Sequence, residues 1–202
     1  MREVDPKTTS RAISYKHYIN APMPMVTIFK TMDVTHLVKL AKKGYSFNML
    51  MCWCIIRASK NIPEFYLLPV GKKLIQYENL GVNVIIKNKQ GELSTCDIPF
   101  CNELDEFAHT YLELTERCRE QCENYELPNY MIVGTSALIH YNLDGVTNFY
   151  SGIFNNPFLI WSKYQRHLLK TKLKVSFQFH HVQMDGEQAC HFLENLQECM
   201  NQ

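Results

Sequence analysis

The 202-residue sequence is poor in the features that mark several broad functional classes. It has almost no net charge: 21 Lys and Arg against 20 Asp and Glu leave +1, so nothing pulls it strongly toward nucleic acid or acidic lipid. Charge runs are short, as at Lys42-Lys43 and Lys72-Lys73, and read as solvated loops. Glycines number only eight and never form G-x-G-x-x-G, which argues against a glycine-rich pyrophosphate cradle. The eight cysteines include no C-x-x-C pair, so the paired-ligand spacing of a zinc site is missing. Met1-Arg2-Glu3-Val4-Asp5 lacks the apolar segment of a signal peptide. With no secretory signal, reduced thiols serving as small hydrophobes are expected. The best candidate for a membrane span, Phe47 to Ile56, is too short to cross a bilayer. There are no repeats, low-complexity tracts or linkers. With 46% hydrophobic residues, the expectation is one soluble, cytoplasmic domain over residues 1–202, with no nucleic-acid or membrane partner.

What is present is an interleaving of helix-like and strand-like segments. Met25 to Val34 reads as a strand and Thr35 to Lys43 as a short helix ended by Gly44. Ser46 to Ser59 is a more apolar helix that stops near Pro63. Leu80 to Lys87 is a β-branched strand followed by the turn signal Gln90-Gly91. Glu103 to Glu123 places Leu104, Phe107, Ala108, Tyr111, Leu112, Leu114 and Cys118 at largely helical spacing. Tyr130 to His140, Thr147 to Phe154, Phe158 to Tyr164 and Lys172 to His181 are strand candidates. Glu187 to Met200 closes the chain as an amphipathic helix. So many consecutive strands do not suit a doubly wound sheet. The expected class is α/β, a two-layer sandwich of a mixed β-sheet packed with α-helices.

One segment carries more chemistry than any other: Phe179-His180-His181-Val182-Gln183-Met184-Asp185-Gly186. Alternation along the last strand places Val175, Phe177, Phe179 and His181 on one face and Lys174, Ser176, Gln178 and His180 on the other. His181 therefore continues the apolar face. A partly desolvated imidazole there disfavours its charged form, as a general base near neutral pH requires. The plain structural readings stay open: His181 as a satisfied core residue, and Asp185 as the cap of the last helix, with Gln188 completing a capping box. A metal held by His181 and Asp185 would need a third ligand such as His140 or His191, and no spacing supports one.

His180-His181-Val182-Gln183-Met184-Asp185-Gly186 resembles the HHxxxDG signature of chloramphenicol acetyltransferases, shared with peptide-synthetase condensation domains. A related HxxxDG occurs in dihydrolipoamide acyltransferase cores. Further matches favour the first family. Ser136-Ala137-Leu138, with Asn142 and Asp144, resembles its serine segment. Pro157 with Lys163-Tyr164 resembles the following strand, and Ile62-Pro63-Glu64-Phe65 resembles a helix end of the family. Arg11, Tyr15 and Tyr18 fall where the family has Arg, Phe and an aromatic residue.

The resemblance implies a homotrimer with active sites at subunit interfaces and acetyl-CoA as co-substrate, without a metal. His181 would deprotonate the acceptor hydroxyl for direct attack on the thioester, with no acyl-enzyme. Ser136 would donate to the oxyanion, and Asp185 would pair with Arg11 to support His181. Tyr18, Leu127 and Ile160 would line the acceptor pocket, Leu127 in place of an aromatic residue and Ile160 in place of a threonine. The implied activity is O-acetylation of chloramphenicol, conferring resistance. The alternatives are the same chemistry on another small hydroxylated acceptor, or a non-catalytic trimeric binding protein. Ser136, Arg11 and Tyr18 also have plain readings as a strand hydroxyl, a solvated charge and ordinary packing.

Overall fold

Strand β10, Thr171–His180, runs through the middle of the main sheet because both its faces and both its edges find partners. Val175, Phe177 and Phe179 face the core, where Phe177 packs against Phe192 and Phe65 with ring centroids 4.7 and 6.2 Å away. The computed structural model describes residues 1–150 and 152–202. On either side of β10 lie β2 (Met25–Asp33) and β8 (Phe158–Ser162), both antiparallel to it. Beyond β8 come β7 (Tyr130–Leu138), β5 (Asn79–Lys87) and β6 (Leu93–Pro99), in the order β2-β10-β8-β7-β5-β6. The β5–β7 and β7–β8 pairings are parallel and the others antiparallel, so the sheet is mixed as expected. A two-residue strand β9 (Gln165–Arg166) pairs with the start of β10. A second, small sheet joins β1 (Arg2–Val4), β4 (Lys73–Gln76) and β3 (Leu67–Val70).

Four helices pack on one face of the main sheet. They are α2 (Thr35–Ala41), α3 (Phe47–Ser59), α4 (Leu104–Gln121) and α5 (Gly186–Asn201). Helix α3 is buried on most of its circumference, as its apolar sequence requires. Within it, Cys52 and Cys54 are core residues, and burial pushes the Cys52 thiol up to about 12. Helix α4 ends where Cys122 adopts the left-handed conformation. Val82, Val84, Cys96, Ile98, Met131, Val133, Leu159 and Trp161 complete the core between helices and sheet. The opposite face of the sheet carries no helix. There Phe29 on β2 is 52% exposed and Ile85 on β5 is 44% exposed.

Two expectations are corrected. Thr147 to Phe154 is not a strand; it belongs to a long irregular segment crossing the uncovered face, with Ser151 outside the described residues. It lies across the sheet rather than along an edge, so it is tied down by isolated bonds. Val146 N donates to Ser176 Oγ (2.9 Å), and Gln178 Nε2 donates to Asn148 O (2.9 Å). The last strand also ends at His180, one residue early, because the chain turns there: Gln183 N and Met184 N both donate to His180 O. The polar first twenty residues hold an unforeseen helix, α1 (Ala12–Tyr18), whose Tyr15 and Tyr18 pack with Leu67, Leu74 and Val182.

Candidate active site

The two adjacent histidines are buried to different depths. His180, the last strand residue, is only 2% exposed, and its Nδ1 accepts a hydrogen bond from Val182 N (3.0 Å). That bond keeps the proton on Nε2. Burial, with His181 beside it, takes His180 from the usual 6.5 down to about 4. His181 lies in the turn, tethered by its N–H to Pro24 O (2.8 Å), and its side chain is 28% exposed. Strand alternation assigned the desolvated imidazole to His181. His181 is partly desolvated, with Nδ1 buried, but His180 is the more deeply buried of the two, on the helix-free face where the Tyr150 ring centroid lies 6.3 Å from its own.

His181 is instead held by side chains. The Tyr18 ring is stacked on the imidazole, centroids 3.9 Å apart and planes 7° from parallel. On another side His181 Nδ1 approaches Asp185 Oδ1 to 3.0 Å. The approach is out of line with the ring's N–H direction, so Nδ1 lacks a well-formed hydrogen bond. Nδ1 is buried, so the exposed edge of the ring is the one bearing Nε2.

Asp185 is fixed by Arg11, a bidentate pair at 2.8 and 2.9 Å. Arg11 is buried, and its remaining donors reach Val182 O (2.9 Å) and His181 O (3.1 Å), so one guanidinium grips residues 181, 182 and 185 together. These bonds hold the Asp185 carboxyl below the usual carboxylate range. Asp185 also caps α5: its N–H donates to Gln188 Oε1 (2.9 Å) in a capping box. The two sequence readings of Asp185, cap and ion-pair partner, both hold. Sequence reading missed Ser14, whose hydroxyl donates to Asp185 Oδ1 (3.2 Å). Its spacing of three from Arg11, across the first turn of α1, was the available signal.

Ser136 lies elsewhere. It sits on β7 opposite Ile160 on β8, which in turn sits opposite Ser176 on β10. His181, just past the end of β10, is five residues on from Ser176 and two strands away, about 19 Å from Ser136 by ordinary sheet spacings. Within one chain the two do not meet. Ser136 and Ile160 share the helix-free face with Asn83 on β5 and Asp97 on β6. Leu127, in the loop before β7, reaches over Gly81 on that face, and its N–H donates to Asp97 Oδ2 (3.0 Å).

A cleft of about 660 Å³ opens past the end of β7, lined by Ser46, Phe47, Asn48, Ile139, His140, Lys163, Tyr164 and Arg166. Its exposed Lys163 and Arg166 suit an anionic ligand. Inside it, Asn48 Oδ1 is buried with no partner and can accept from a ligand N–H. The sequence held no motif for this cleft, since its lining comes from three separate segments.

Comparison with known proteins gives the constellation a family. The chloramphenicol acetyltransferase profile matches residues 1–197. The chain belongs to the chloramphenicol acetyltransferase family. It is an acyltransferase of that family. It is 25% identical to chloramphenicol acetyltransferase 2 of Escherichia coli over 194 residues, covering 91% of this chain and 87% of the relative. A solved chloramphenicol acetyltransferase superposes with a TM-score of 0.85 at 18% identity, covering 98% of this chain and 99% of the other. The cubic core of the pyruvate dehydrogenase multienzyme complex superposes with a TM-score of 0.69 at 19% identity, covering 99% and 91% of the two chains. At these identities the structural likeness speaks for the fold shared by chloramphenicol acetyltransferases. No helix among the described residues is long and apolar enough to cross a membrane.

Proposed function

We propose that the chain transfers an acetyl group from acetyl-CoA to a hydroxyl of a small acceptor, in sites formed between copies of a trimer. The observation that carries this reading is the clamp on His181. Tyr18 covers one ring face, Asp185 approaches Nδ1, and Arg11 holds Asp185 together with the backbone of the turn, leaving the Nε2 edge outward. A binding protein has no need of an imidazole aimed in this way.

In this reading His181 Nε2 takes the acceptor's hydroxyl proton while the oxygen attacks the thioester carbonyl. Ser136 of a neighbouring copy donates to the oxyanion. Collapse breaks the carbon–sulfur bond, and the His181 imidazolium returns the proton to the departing thiolate. The 19 Å estimate between His181 and Ser136 of one chain supports the shared site, because one copy alone cannot supply both groups. Lys163 and Arg166 would hold the phosphates of the acyl-CoA and Asn48 an amide N–H, in the cleft about three residues beyond Ser136 on β7.

The test is thiol release from acetyl-CoA, with and without chloramphenicol and then with other alcohols, comparing wild type with His181→Ala. Acceptor-dependent release, reduced about 10²–10⁴-fold by the substitution, is expected. Release with other alcohols but not with chloramphenicol would keep the chemistry and remove that acceptor. No release with any alcohol would leave a binding protein.

A further inference from the structure

We infer that Asp97 determines acceptor specificity, and that the preferred acceptor is a hydroxylated amine whose ammonium group pairs with this carboxylate. The inference rests on the acetyltransferase reading above and names its substrate class.

Asp97 is 6% exposed. Its Oδ1 accepts from Asn83 Nδ2 (2.7 Å) and its Oδ2 from Leu127 N (3.0 Å). Among the described residues it forms no ion pair with any Lys, Arg or His. The charge that acts on it is another acid, Glu126, and burial with this neighbour holds its carboxyl above the usual range. Arg11, the most deeply buried charged side chain, has its counter-ion in place, and Glu64, 8% exposed, accepts from Ser10 Oγ near α1, away from this face. A buried carboxylate left with only two neutral donors is costly, and each oxygen has lone-pair capacity for a further donor.

The position gives this cost a use. Asp97, Asn83, Gly134, Phe158 and Gln178 form one row across the helix-free face. Ser136 lies two strands across and two residues along, so its Cα is about 12 Å from that of Asp97. That span suits a small acceptor reacting beside Ser136 with its far end at Asp97. Leu127, anchored by the same carboxylate, adds an apolar wall over Gly81. A neutral acceptor would leave the charge of Asp97 uncompensated, whereas an ammonium compensates it. A site with a buried group awaiting a partner discriminates strongly against analogues that lack the partner.

The alternative role for Asp97 is an anchor of the Leu127 loop alone, and it would affect all acceptors alike. The experiment uses pairs of tertiary-amino alcohols and isosteres in which C–H replaces the protonated nitrogen. A tertiary amine cannot form a stable amide, so thiol release reports the hydroxyl. Wild type is expected to favour the cationic member of each pair by about tenfold or more in kcat/KM, and Asp97→Asn to collapse that ratio. Equal losses on both members, or no preference in wild type, would overturn the inference. Thermal shift with the same probes separates this inference from the acetyltransferase reading. Stabilisation by the cationic member only, lost in Asp97→Asn, without turnover, would uphold the cation site and sink the transferase. Turnover without preference would do the reverse.

Discussion

Arg11 is the residue on which most of the His181 environment depends. It is buried, bonds Asp185 through both terminal nitrogens, and holds two carbonyls of the turn. Its removal strands Asp185 and those carbonyls at once. Arg11→Ala should cost about 3 kcal/mol, the low end for a broken buried pair because Asp185 keeps 40% side-chain exposure. Urea denaturation would measure it, and a loss under about 1 kcal/mol would mean that the pair is effectively solvent-exposed. Asp185→Asn keeps the shape and the helix cap but loses the charge, so it should reduce acetyl transfer more than it reduces stability. Ser136→Ala should slow transfer by roughly 10²–10³ without changing stability, since only a transition-state donor is lost. The family resemblance pointed to Arg11, Asp185 and Ser136, while residue type and spacing alone left plain readings open for each. Ser14 was not legible, because a serine on a polar helix has many ordinary uses.

The junction of β10 and α5 works as one element, and its pH response follows from His180. The native state holds this imidazole neutral down to about 4, whereas an unfolded chain takes up its proton near 6.5. Between those values the unfolded state binds more protons, so stability falls as pH falls through this window. Asp185 acts in the same direction further down: its lowered carboxyl contributes stability above the unfolded carboxylate range, lost as pH drops through its native value. The urea midpoint of wild type should therefore decline from about pH 6.5 to 4, and the slope over that window should flatten in His180→Gln. An unchanged slope would show that His180 does not carry the dependence. The boundaries of α3, α4 and α5 were legible from apolar spacing and breakers. Thr147 to Phe154 had strand-like composition but crosses the helix-free face instead of lining a sheet edge, a placement set by distant residues.

For the whole molecule the separation of His181 from Ser136 has the largest consequence. Each copy brings a clamped imidazole at one end and a serine-bearing open face elsewhere, so the proposed mechanism calls for a site shared by two copies. Co-expressing His181→Ala with Ser136→Ala should restore activity that neither variant has alone. Random mixing around a ring leaves about one site in four with both groups intact, giving about a quarter of wild-type activity. No recovery, with mixed oligomers verified by differential tagging, would place the whole site within one chain. Sedimentation should give a trimer, and a monomer would count equally against the shared site.

The order of residues alone determined the kinds of chemistry available. An imidazole four residues before an aspartate and the long apolar periodicities are properties of neighbours along the chain. Tertiary structure decided which histidine is the more buried, because the turn at Val182 and the Tyr150 segment pack against His180. It decided that His181 and Ser136 stand apart, because strand order and register come from pairings between distant segments. It also buried Asp97 beside the Leu127 loop with no ion-pair partner among the described residues, since burial is set by everything that packs around a residue rather than by its neighbours in sequence.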